Sequence, residues 1–327
     1  MKEVIVGVND AGMRLDRFIG KVFPSVPPSL VQKAIRKKDI KVNKKRCLRD
    51  LRISAGDVIS LFLDDSLLSS PTPESAFLLI NTPKLNIIYE DENILLLDKP
   101  AGQLCHSDES RTANTLLSHI QAYLYQKGEY NPDVESSFAP ALCNRIDRNT
   151  GGIVIAAKNA EALRILNEKI KNRELEKRYL CLAHGKPQPP SGYMENYIMR
   201  DLKRKQVYVY DKPRPGAKTA RTHYSVLQYK NGLSLVECIL VTGRTHQIRA
   251  QMAHAGHPLY GDGKYGVLSG EHGGRSVQAL YSYKLKFTFK TGAGILDYLN
   301  KKEFEVKSIP FVREFTGGGY SNSTNYC

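Results

Sequence analysis

The spacing of apolar residues divides the first 63 residues into two helices followed by short strands. Between Met13 and Phe23, apolar side chains recur three or four positions apart, which is the spacing of one helix face. Prolines then interrupt this pattern, and Ser29 is positioned to cap a second helix. From Ile40 onward, apolar and polar residues alternate as they do in half-buried strands. The pattern therefore predicts a small unit of two helices and a small β-sheet over residues 1–63.

After this unit the apolar pattern breaks and then resumes as a longer series of strands and helices. Residues 64–76 are rich in Ser, Pro and acidic side chains, which we interpret as a linker. Between residues 77 and 313 most strands neighbour other strands, which favours an α+β fold with a mixed sheet. Residues 314–327 lack an apolar pattern and are predicted to form a disordered tail. Strands are expected at 87–90, 94–98, 153–157, 179–183, 207–210, 222–229 and 234–241, and helices at 115–125, 160–171 and 245–255.

The composition shows that the 327-residue chain is strongly basic. Lys and Arg number 48 against 33 Asp and Glu, which gives a formal net charge of +15. Such an excess favours a polyanionic partner, either a nucleic acid or an anionic membrane surface. No window approaches the roughly 20 apolar residues of a spanning helix, and the first ten residues lack the apolar core of a signal peptide. We therefore expect a cytoplasmic protein with no membrane partner.

The positive charge is concentrated in the first unit. Residues 1–63 hold 14 Lys or Arg against 6 Asp or Glu. Two interpretations are equally compatible with this composition: a solvated charged face, or a surface that contacts phosphates and gains from counterion release. The candidate RNA-contacting residues are Arg14, Arg17, Lys33, Arg36, Lys37, Lys38, Lys41, Lys44, Lys45 and Arg46.

The cysteines and histidines do not form a metal-binding or redox motif. The six cysteines include no CxxC pair, and we expect them to be reduced. The one close group of histidines, at positions 246, 254 and 257, contains no HExxH and straddles a glycine. No phosphate-binding loop or dinucleotide fingerprint occurs either. The sequence therefore predicts no metal and no nucleotide cofactor.

A polar loop at 144–152 is the first segment that could carry chemistry. It ends in two glycines that lead into a buried strand, and Arg145 and Arg148 flank Asp147. Neighbouring guanidinium groups favour the ionised carboxylate, which is the form that a nucleophile or a general base requires. The alternative is a structural, salt-bridged aspartate beside a turn, and spacing alone favours that alternative.

A helix predicted at 245–255 is the second such segment. Thr245 can cap its start, and Gly256 can end it. Arg249 lies close to the buried stripe of this helix, so its guanidinium needs a carboxylate or phosphate partner. We interpret His254 and His257 as ordinary polar side chains.

Together these segments resemble the ordered motifs of the RluA-type family of RNA pseudouridine synthases. The first motif is matched by residues 144–152, the second by Lys177-Arg178-Tyr179, and the third by residues 242–249. An upstream signature is matched by residues 98–102. Residues 13–43 resemble an S4 RNA-binding domain. The sequence departs from the first motif twice, with Asn144 in place of the usual His and Gly151 in place of the usual Ser, and we expect both to adjust loop geometry only.

The resemblance implies a fold and an architecture. A small S4-like domain of two helices and a small sheet at 1–63 would be followed by a linker at 64–76. A pseudouridine synthase catalytic domain would occupy 77–313, with a mixed, largely antiparallel sheet flanked by helices. The fold class is α+β.

The resemblance also implies a reaction and roles for individual residues. Uridine is isomerised to pseudouridine when the N-glycosidic bond breaks and C5 of uracil is joined to C1′. Asp147 matches the nucleophile, Arg249 its arginine partner, and Tyr179 the tyrosine that stacks on the target base. Ile248 would pack beside the same ring, and Arg145 matches the residue that fills the gap left by the flipped uridine. The other third-motif residues assigned to substrate binding are Arg244 and His246.

The implied partner is structured RNA, because base flipping costs least at accessible uridines in loops and bulges. Members with an S4 domain and this motif set most resemble the RluC- or RluD-type enzymes that act on 23S ribosomal RNA. The isomerisation gains no atoms and so requires no cofactor or metal, and nothing in the sequence demands more than a monomer. The alternatives are a non-catalytic protein of ribosome assembly and a synthase that acts on tRNA. The joint presence of Asp147, Tyr179 and Arg249 argues against the first. A deaminase would need a Pro-Cys-x-x-Cys set, and a methyltransferase would be expected to show a glycine-rich loop after a first strand; neither occurs.

Overall fold

A computed structural model of the chain describes residues 1–68, 76–107, 114–135, 137–201, 203–204, 206–266 and 277–317. These residues form a four-stranded sheet near the N-terminus and an eleven-stranded sheet in the remainder. Most of the predicted linker (69–75) and of the predicted tail (318–327) lies outside the described residues. None of the described helices is long and apolar enough to cross a membrane.

The N-terminal unit consists of two helices on a small antiparallel sheet, as the apolar pattern predicts. The strand order is β1-β4-β2-β3. Phe18 and Ile19 of the first helix are buried against Ile40 and Ile59 of the sheet, because apolar residues at helical spacing share one face. The elements are β1 (Lys2–Ile5), α1 (Leu15–Val22), α2 (Pro28–Lys37), β2 (Ile40–Val42), β3 (Lys45–Arg46) and β4 (Val58–Leu61).

The remaining residues form one large sheet with helices on both faces. Its strand order is β11-β10-β12-β13-β9-β14-β8-β6-β5, with β15 beside β14 and β7 beside β8. All pairings given for the described residues are antiparallel except that of β8 with β14. The predicted mixed, largely antiparallel sheet and the α+β class are confirmed. The elements are β5 (Ile87–Glu90), β6 (Ile94–Lys99), α3 (Leu116–Gln126), β7 (Ala141–Leu142), β8 (Gly151–Ala157), α4 (Ala160–Lys171), β9 (Leu175–His184), β10 (Ser191–Asp201), β11 (Gln206–Tyr210), β12 (Lys218–Lys230), β13 (Leu233–Leu240), α5 (Gln247–His254), β14 (Leu280–Phe287), β15 (Glu303–Glu305) and α6 (Pro310–Thr316).

The central strands are buried on both faces, which explains their unbroken apolar runs. Leu95 and Leu97 of β6 pack on the α3 side, whereas Ile94 and Leu96 pack on the α4 side. A strand covered on both faces has no polar alternation, and β6 and β8 therefore read as continuous hydrophobic segments.

The neighbouring strand β9 divides its side chains between the two faces in the same way. Tyr179 and Cys181 pack with residues of α5, and Leu180 and Leu182 pack with residues of α6. Ile146 contacts both the α3 cluster and the α5 cluster, so α3 and α5 cover the same face of the sheet. The catalytic candidates Asp147 and Arg249 therefore lie on that face.

Two details of the sequence prediction are wrong at helix starts. Helix α2 has Pro27 as its N-cap and Pro28 in its first turn, rather than being capped by Ser29. The fixed φ of proline suits the first turn of a helix, where the missing N–H would have no partner within the helix. Helix α5 begins at Gln247 and is preceded by His246 in the left-handed region, rather than being capped by Thr245. Helix α6, which the sequence analysis does not predict, ends at Thr316, and its residues Phe311 and Val312 anchor it in the core.

The N-terminal unit contacts the large sheet unit through its first 3₁₀ turn. The Asn9 side chain accepts a hydrogen bond from the Ala160 N–H at the start of α4 (2.9 Å) and donates to Glu135 (2.7 Å). Next to it, the buried Asp10 carboxylate accepts a hydrogen bond from the Ser137 hydroxyl. These polar contacts fix one side of the small unit against the larger one.

Candidate active site

A cavity of about 300 Å³ lies on the α5 face of the sheet. It is formed by the loop before β8, the start of β9, the end of β13 and the first turn of α5. Residues separated by 102 positions in the sequence are in direct contact there. The cavity brings together every residue predicted from the sequence to be catalytic or substrate-binding in this half of the chain: Arg145, Asp147, Tyr179, Arg244, His246, Ile248 and Arg249.

A buried lysine fixes the loop that carries Asp147. The ammonium group of Lys99, fully buried at the end of β6, donates to the carbonyl oxygens of Pro100 (2.9 Å), Gln103 (2.9 Å) and Arg148 (3.0 Å). The Gly102 N–H donates to the same Arg148 carbonyl at 2.8 Å. Burial lowers the pKa of Lys99 to about 8. The upstream signature thus holds the loop immediately behind Asp147.

The two departures from the family motif each have a local explanation. The Asn144 side chain accepts a hydrogen bond from the Ile155 N–H at 2.7 Å, which ties the loop to β8. A side chain at Gly151 would lie 2.4 Å from the ring of Tyr281, whose hydroxyl donates to Asp98 at 2.6 Å. The space that a serine side chain would need is therefore occupied by Tyr281.

Arg249 lies between two carboxylates and binds both. Its Nε and Nη2 donate to Asp262 at 2.7 and 2.9 Å, and its Nη1 donates to Oδ2 of Asp147 at 3.2 Å. Burial alone would disfavour the charged guanidinium, but the hydrogen bonds and charge of Asp262, joined by Asp147, outweigh it and raise the pKa of Arg249. The predicted need of Arg249 for an anionic partner is met by two partners.

Asp262 is the residue of this arrangement to which sequence reasoning gave no role. Its carboxylate also accepts the backbone N–H groups of Lys264 (2.9 Å) and Tyr265 (3.2 Å). Burial raises the pKa of this carboxyl, but the Arg249 guanidinium overcomes that effect and holds the pKa below its usual range. The Gly261-Asp262 pair, which follows the third-motif match at 242–249 by about a dozen residues, was the available signal in the sequence.

Apolar and aromatic side chains form the wall beside Asp147. Tyr179 lies at the centre of this wall, with Ile248 and Leu280 in the same cluster. Burial raises the pKa of Tyr179 to about 12, although a hydrogen bond with Ser282 acts in the opposite direction. The phenol therefore keeps its proton at neutral pH and presents a flat surface to the cavity.

Cations line the remainder of the cavity. Arg145 is exposed, and Arg244 is anchored by its Nε donating to the Thr219 carbonyl at 3.0 Å. Lys177 is two residues from Tyr179 on β9 and faces the same side of the sheet. The contacts found among the described residues give its ammonium no hydrogen bond or ion pair, and burial lowers its pKa. No group of three His, Cys, Asp or Glu side chains in the described ranges is arranged to hold a metal ion.

The ten candidate RNA-contacting residues lie on the N-terminal unit, away from this cavity. Eight are exposed: six lie at the end of α2 or at the turn between β2 and β3, and the others are Arg17 of α1 and Lys33 of α2. The other two have partners within the unit: Arg14 pairs with Asp16 at 2.6 Å, and Lys41 lies 5.2 Å from the ring centre of Phe62. Most of the exposed cations therefore follow one another closely along the chain, from Arg36 to Arg46.

In sequence, the chain is similar to known RNA pseudouridine synthases. The RNA pseudouridylate synthase family model matches residues 93–254. A Mycoplasma genitalium protein named as an RNA pseudouridine synthase is 32% identical over 317 residues, covering 94% of this chain and 96% of that protein. The ribosomal large subunit pseudouridine synthase C of Vibrio vulnificus is 30% identical over 302 residues, covering 88% and 89%.

Solved structures share the fold of the larger unit. Human RNA pseudouridylate synthase domain containing 1 has a TM-score of 0.52 at 21% identity, covering 74% of this chain and 98% of that one. Human RNA pseudouridylate synthase domain containing 4 has a TM-score of 0.54 at 19% identity, covering 72% and 93%. Fold and sequence together define an isomerase that acts on RNA. The chain belongs to the RluA-type RNA pseudouridine synthase family, whose members convert uridine to pseudouridine.

Proposed function

We propose that this enzyme modifies uridines of 23S ribosomal RNA with Asp147 as its nucleophile. The observation that carries the proposal is the position of the Asp147 carboxylate: it lines the same cavity as Tyr179 and is paired with Arg249. The target is supported by relatives named as ribosomal large subunit pseudouridine synthase C, which are 29–30% identical over most of the chain.

The two oxygens of Asp147 have different surroundings. Arg249 and His246 both approach Oδ2, at 3.2 and 3.7 Å. The contacts among the described residues give Oδ1 no hydrogen bond. We assign the attack on the uridine to Oδ1, while Oδ2 carries the contacts that keep the carboxylate ionised and oriented.

The reaction then needs no further group from outside the chain. Attack by the Asp147 carboxylate forms a bond from its oxygen to C1′ as the N1–C1′ bond breaks, and the freed uracil rotates. C5 then attacks C1′ and displaces the carboxylate, so the C5–C1′ bond forms as the oxygen–C1′ bond breaks and Asp147 is regenerated. The proton on C5 is lost and N1 gains a proton, so the atoms of substrate and product are the same. Because its pKa is about 12, Tyr179 acts in this reaction as a stacking surface for the uracil more readily than as a proton acceptor.

Base flipping brings the uridine into the cavity. Arg145 is exposed at its rim, where it can occupy the gap left in the RNA, and Ile248 supports the base beside Tyr179. Lys177 and Arg244 supply positive charge for the phosphates on either side of the flipped nucleotide.

The N-terminal unit would supply further affinity for structured RNA. We assign residues 1–63 to an S4-like RNA-binding domain and residues 77–313 to the catalytic domain. We propose that the enzyme acts as a monomer. A 23S rRNA substrate implies that the enzyme acts in the cytoplasm.

The test is pseudouridine mapping on unmodified 23S rRNA transcript. Wild-type enzyme should produce signal at defined uridines, and Asp147→Asn should produce none while binding RNA within a few-fold of wild type. Asp133→Asn, at an exposed carboxylate outside the cavity, is the matched control and should be fully active. Pseudouridine formation by Asp147→Asn would exclude the nucleophile. Signal on tRNA and not on 23S rRNA or precursor particles would exclude the target.

A further inference from the structure

His246 occupies an unusual backbone position between Asp147 and Tyr265. Its φ is +52°, in the left-handed region of backbone conformation that residues other than glycine adopt only uncommonly. This conformation directs one ring nitrogen, Nε2, toward Oδ2 of Asp147 at 3.7 Å. The other, Nδ1, lies 2.8 Å from the hydroxyl of Tyr265. A strained backbone that is kept at a reaction centre indicates that the placement of this ring matters.

The hydrogen bonds of Tyr265 determine which ring nitrogen of His246 carries the proton. The Tyr265 hydroxyl oxygen accepts the backbone N–H of Val207 at 3.1 Å. A phenol has one proton, and here that proton remains available to be donated to Nδ1. Burial raises the pKa of Tyr265 to about 12, so its hydroxyl stays protonated at neutral pH. Nδ1 is therefore the acceptor, and Nε2 bears the N–H that faces Asp147.

The imidazole is also neutral. Burial lowers the pKa of His246 to about 4 and outweighs the opposing influence of the Asp147 charge. Arg249 already supplies one positive charge to Asp147, and a second would make the carboxylate a weaker nucleophile. A neutral N–H donor can hold the carboxylate in place without adding that charge.

We propose that His246 is a positioning residue whose Nε2–H donates to Oδ2 of Asp147 in the RNA-bound enzyme, with its tautomer fixed by the Tyr265 hydroxyl. The 3.7 Å separation is longer than a hydrogen bond, and catalytic hydrogen bonds commonly tighten when substrate binds. Arg249 and His246 then hold Oδ2 from two directions and leave Oδ1 directed at the substrate. The inference rests on the proposed role of Asp147 as nucleophile.

Tyr265 supports both partners of Asp147. Its ring lies 5.2 Å from the guanidinium carbon of Arg249, and its backbone N–H donates to Asp262. The turn at 262–265 therefore connects the charged partner and the neutral partner in one unit. Its contribution reaches the reaction through His246 and Arg249, since Tyr265 does not line the cavity with them.

Three full-length variants separate orientation from stability. His246→Leu removes the donor, His246→Gln replaces it with an amide N–H, and Tyr265→Phe removes only the hydroxyl that fixes the tautomer. Single-turnover rate and RNA affinity are measured for each. We expect His246→Leu to slow the reaction about 10- to 100-fold with affinity within threefold, as when partners that orient functional groups are removed. His246→Gln should recover most of that loss, and Tyr265→Phe should fall between them.

Nitrogen-15 NMR of the histidine ring provides a readout that does not depend on activity. In the wild type, Nε2 of His246 should be protonated and Nδ1 unprotonated, and Tyr265→Phe should show a mixture. A protonated Nδ1 in the wild type, or a near-normal rate for His246→Leu, would overturn the inference. Asp147→Asn distinguishes a failure of this inference from a failure of the proposed function. If Asp147→Asn is inactive while His246→Leu is not impaired, only the role of His246 is wrong. If Asp147→Asn is active, the proposed role of Asp147 as nucleophile is itself wrong.

Discussion

The two carboxylates bound to Arg249 should respond differently to the same substitution. Asp262→Asn and Asp147→Asn each neutralise one of the two carboxylates that bind the Arg249 guanidinium. The side chain of Asp262 is 0% exposed, whereas that of Asp147 is 28% exposed. We therefore expect Asp262 to contribute mainly to folding and Asp147 mainly to the reaction.

The magnitudes follow from burial and from the number of hydrogen bonds. Removing one partner of a buried ion pair costs about 3–5 kcal/mol because the other charge is left unpaired. Arg249 keeps Asp147 at 3.2 Å in the Asp262→Asn variant, so we expect the lower end, about 3 kcal/mol. Asp147→Asn leaves both strong bonds from Arg249 to Asp262 in place. A partly exposed pair of this kind contributes about 1 kcal/mol or less.

The assay is urea unfolding of both variants at pH 7, with single-turnover rates measured in parallel. Asp147→Asn should unfold near the wild-type midpoint and be inactive. Asp262→Asn should unfold much earlier and retain part of its activity. Equal destabilisation by the two substitutions, or no destabilisation by Asp262→Asn, would refute this division of roles.

The pH dependence gives a second check on Asp262. Its folded pKa is held below the unfolded value, mainly because Arg249 outweighs the effect of burial. Its stabilising contribution is thus complete above the unfolded pKa of about 3.9 and is lost as the pH falls from there toward the folded pKa. The difference between wild type and Asp262→Asn should therefore be constant from pH 5 to 7 and should shrink below about pH 4.

Three further predictions concern RNA affinity and the loop before β8. The double variant Lys44→Gln, Lys45→Gln should weaken rRNA binding and reduce its salt dependence by the equivalent of about two phosphate contacts. The control Lys307→Gln, at an exposed lysine of the larger unit, should change neither the affinity nor its salt dependence. Equal effects of the two variants on rRNA affinity would mean that the N-terminal charge is only a solvated face. Lys177→Met should weaken RNA binding and raise the melting temperature, since it removes a largely buried ammonium; an unchanged affinity in a filter-binding titration would argue against a phosphate contact. Gly151→Ser should lower the unfolding free energy by about 1–3 kcal/mol because the new side chain meets the Tyr281 ring, and a melting temperature equal to that of wild type would contradict this.

Most strands and helices of the larger unit could be predicted from apolar patterns. Strands such as β6 and β8 are buried on both faces and bounded by polar turns, so their apolar runs are unbroken. β10 and β14 were not predicted. β10 mixes Gly, Asn and charged residues because much of it is only partly buried. β14 intersperses the partly buried Tyr281, Lys284 and Lys286 among buried residues, and its place between β8 and β9 depends on pairing partners far away in the sequence.

The residues of the candidate site could be predicted from its motifs, but the hydrogen bonds and ion pairs between them could not. The sequence indicated that Arg249 needs an anion and did not indicate that two carboxylates share it. Asp262 lies 13 positions further along, in a turn whose geometry sets the contact. The left-handed backbone of His246 was likewise hidden, because Thr245 is the better cap by residue type and tertiary contacts override that preference.

The sharing of Arg249 also bears on why Asp147 can remain reactive. A carboxylate that takes the full charge of a guanidinium through two short bonds is well stabilised and correspondingly weak as a nucleophile. Here the two strongest bonds of Arg249 go to Asp262, and Asp147 receives one longer bond on a single oxygen. The buried pair fixes the guanidinium in position at little cost to the charge of Asp147. With His246 neutral, the positive charge that the cavity offers to RNA comes from Arg145, Lys177 and Arg244, so substrate binding and nucleophile orientation depend on different side chains.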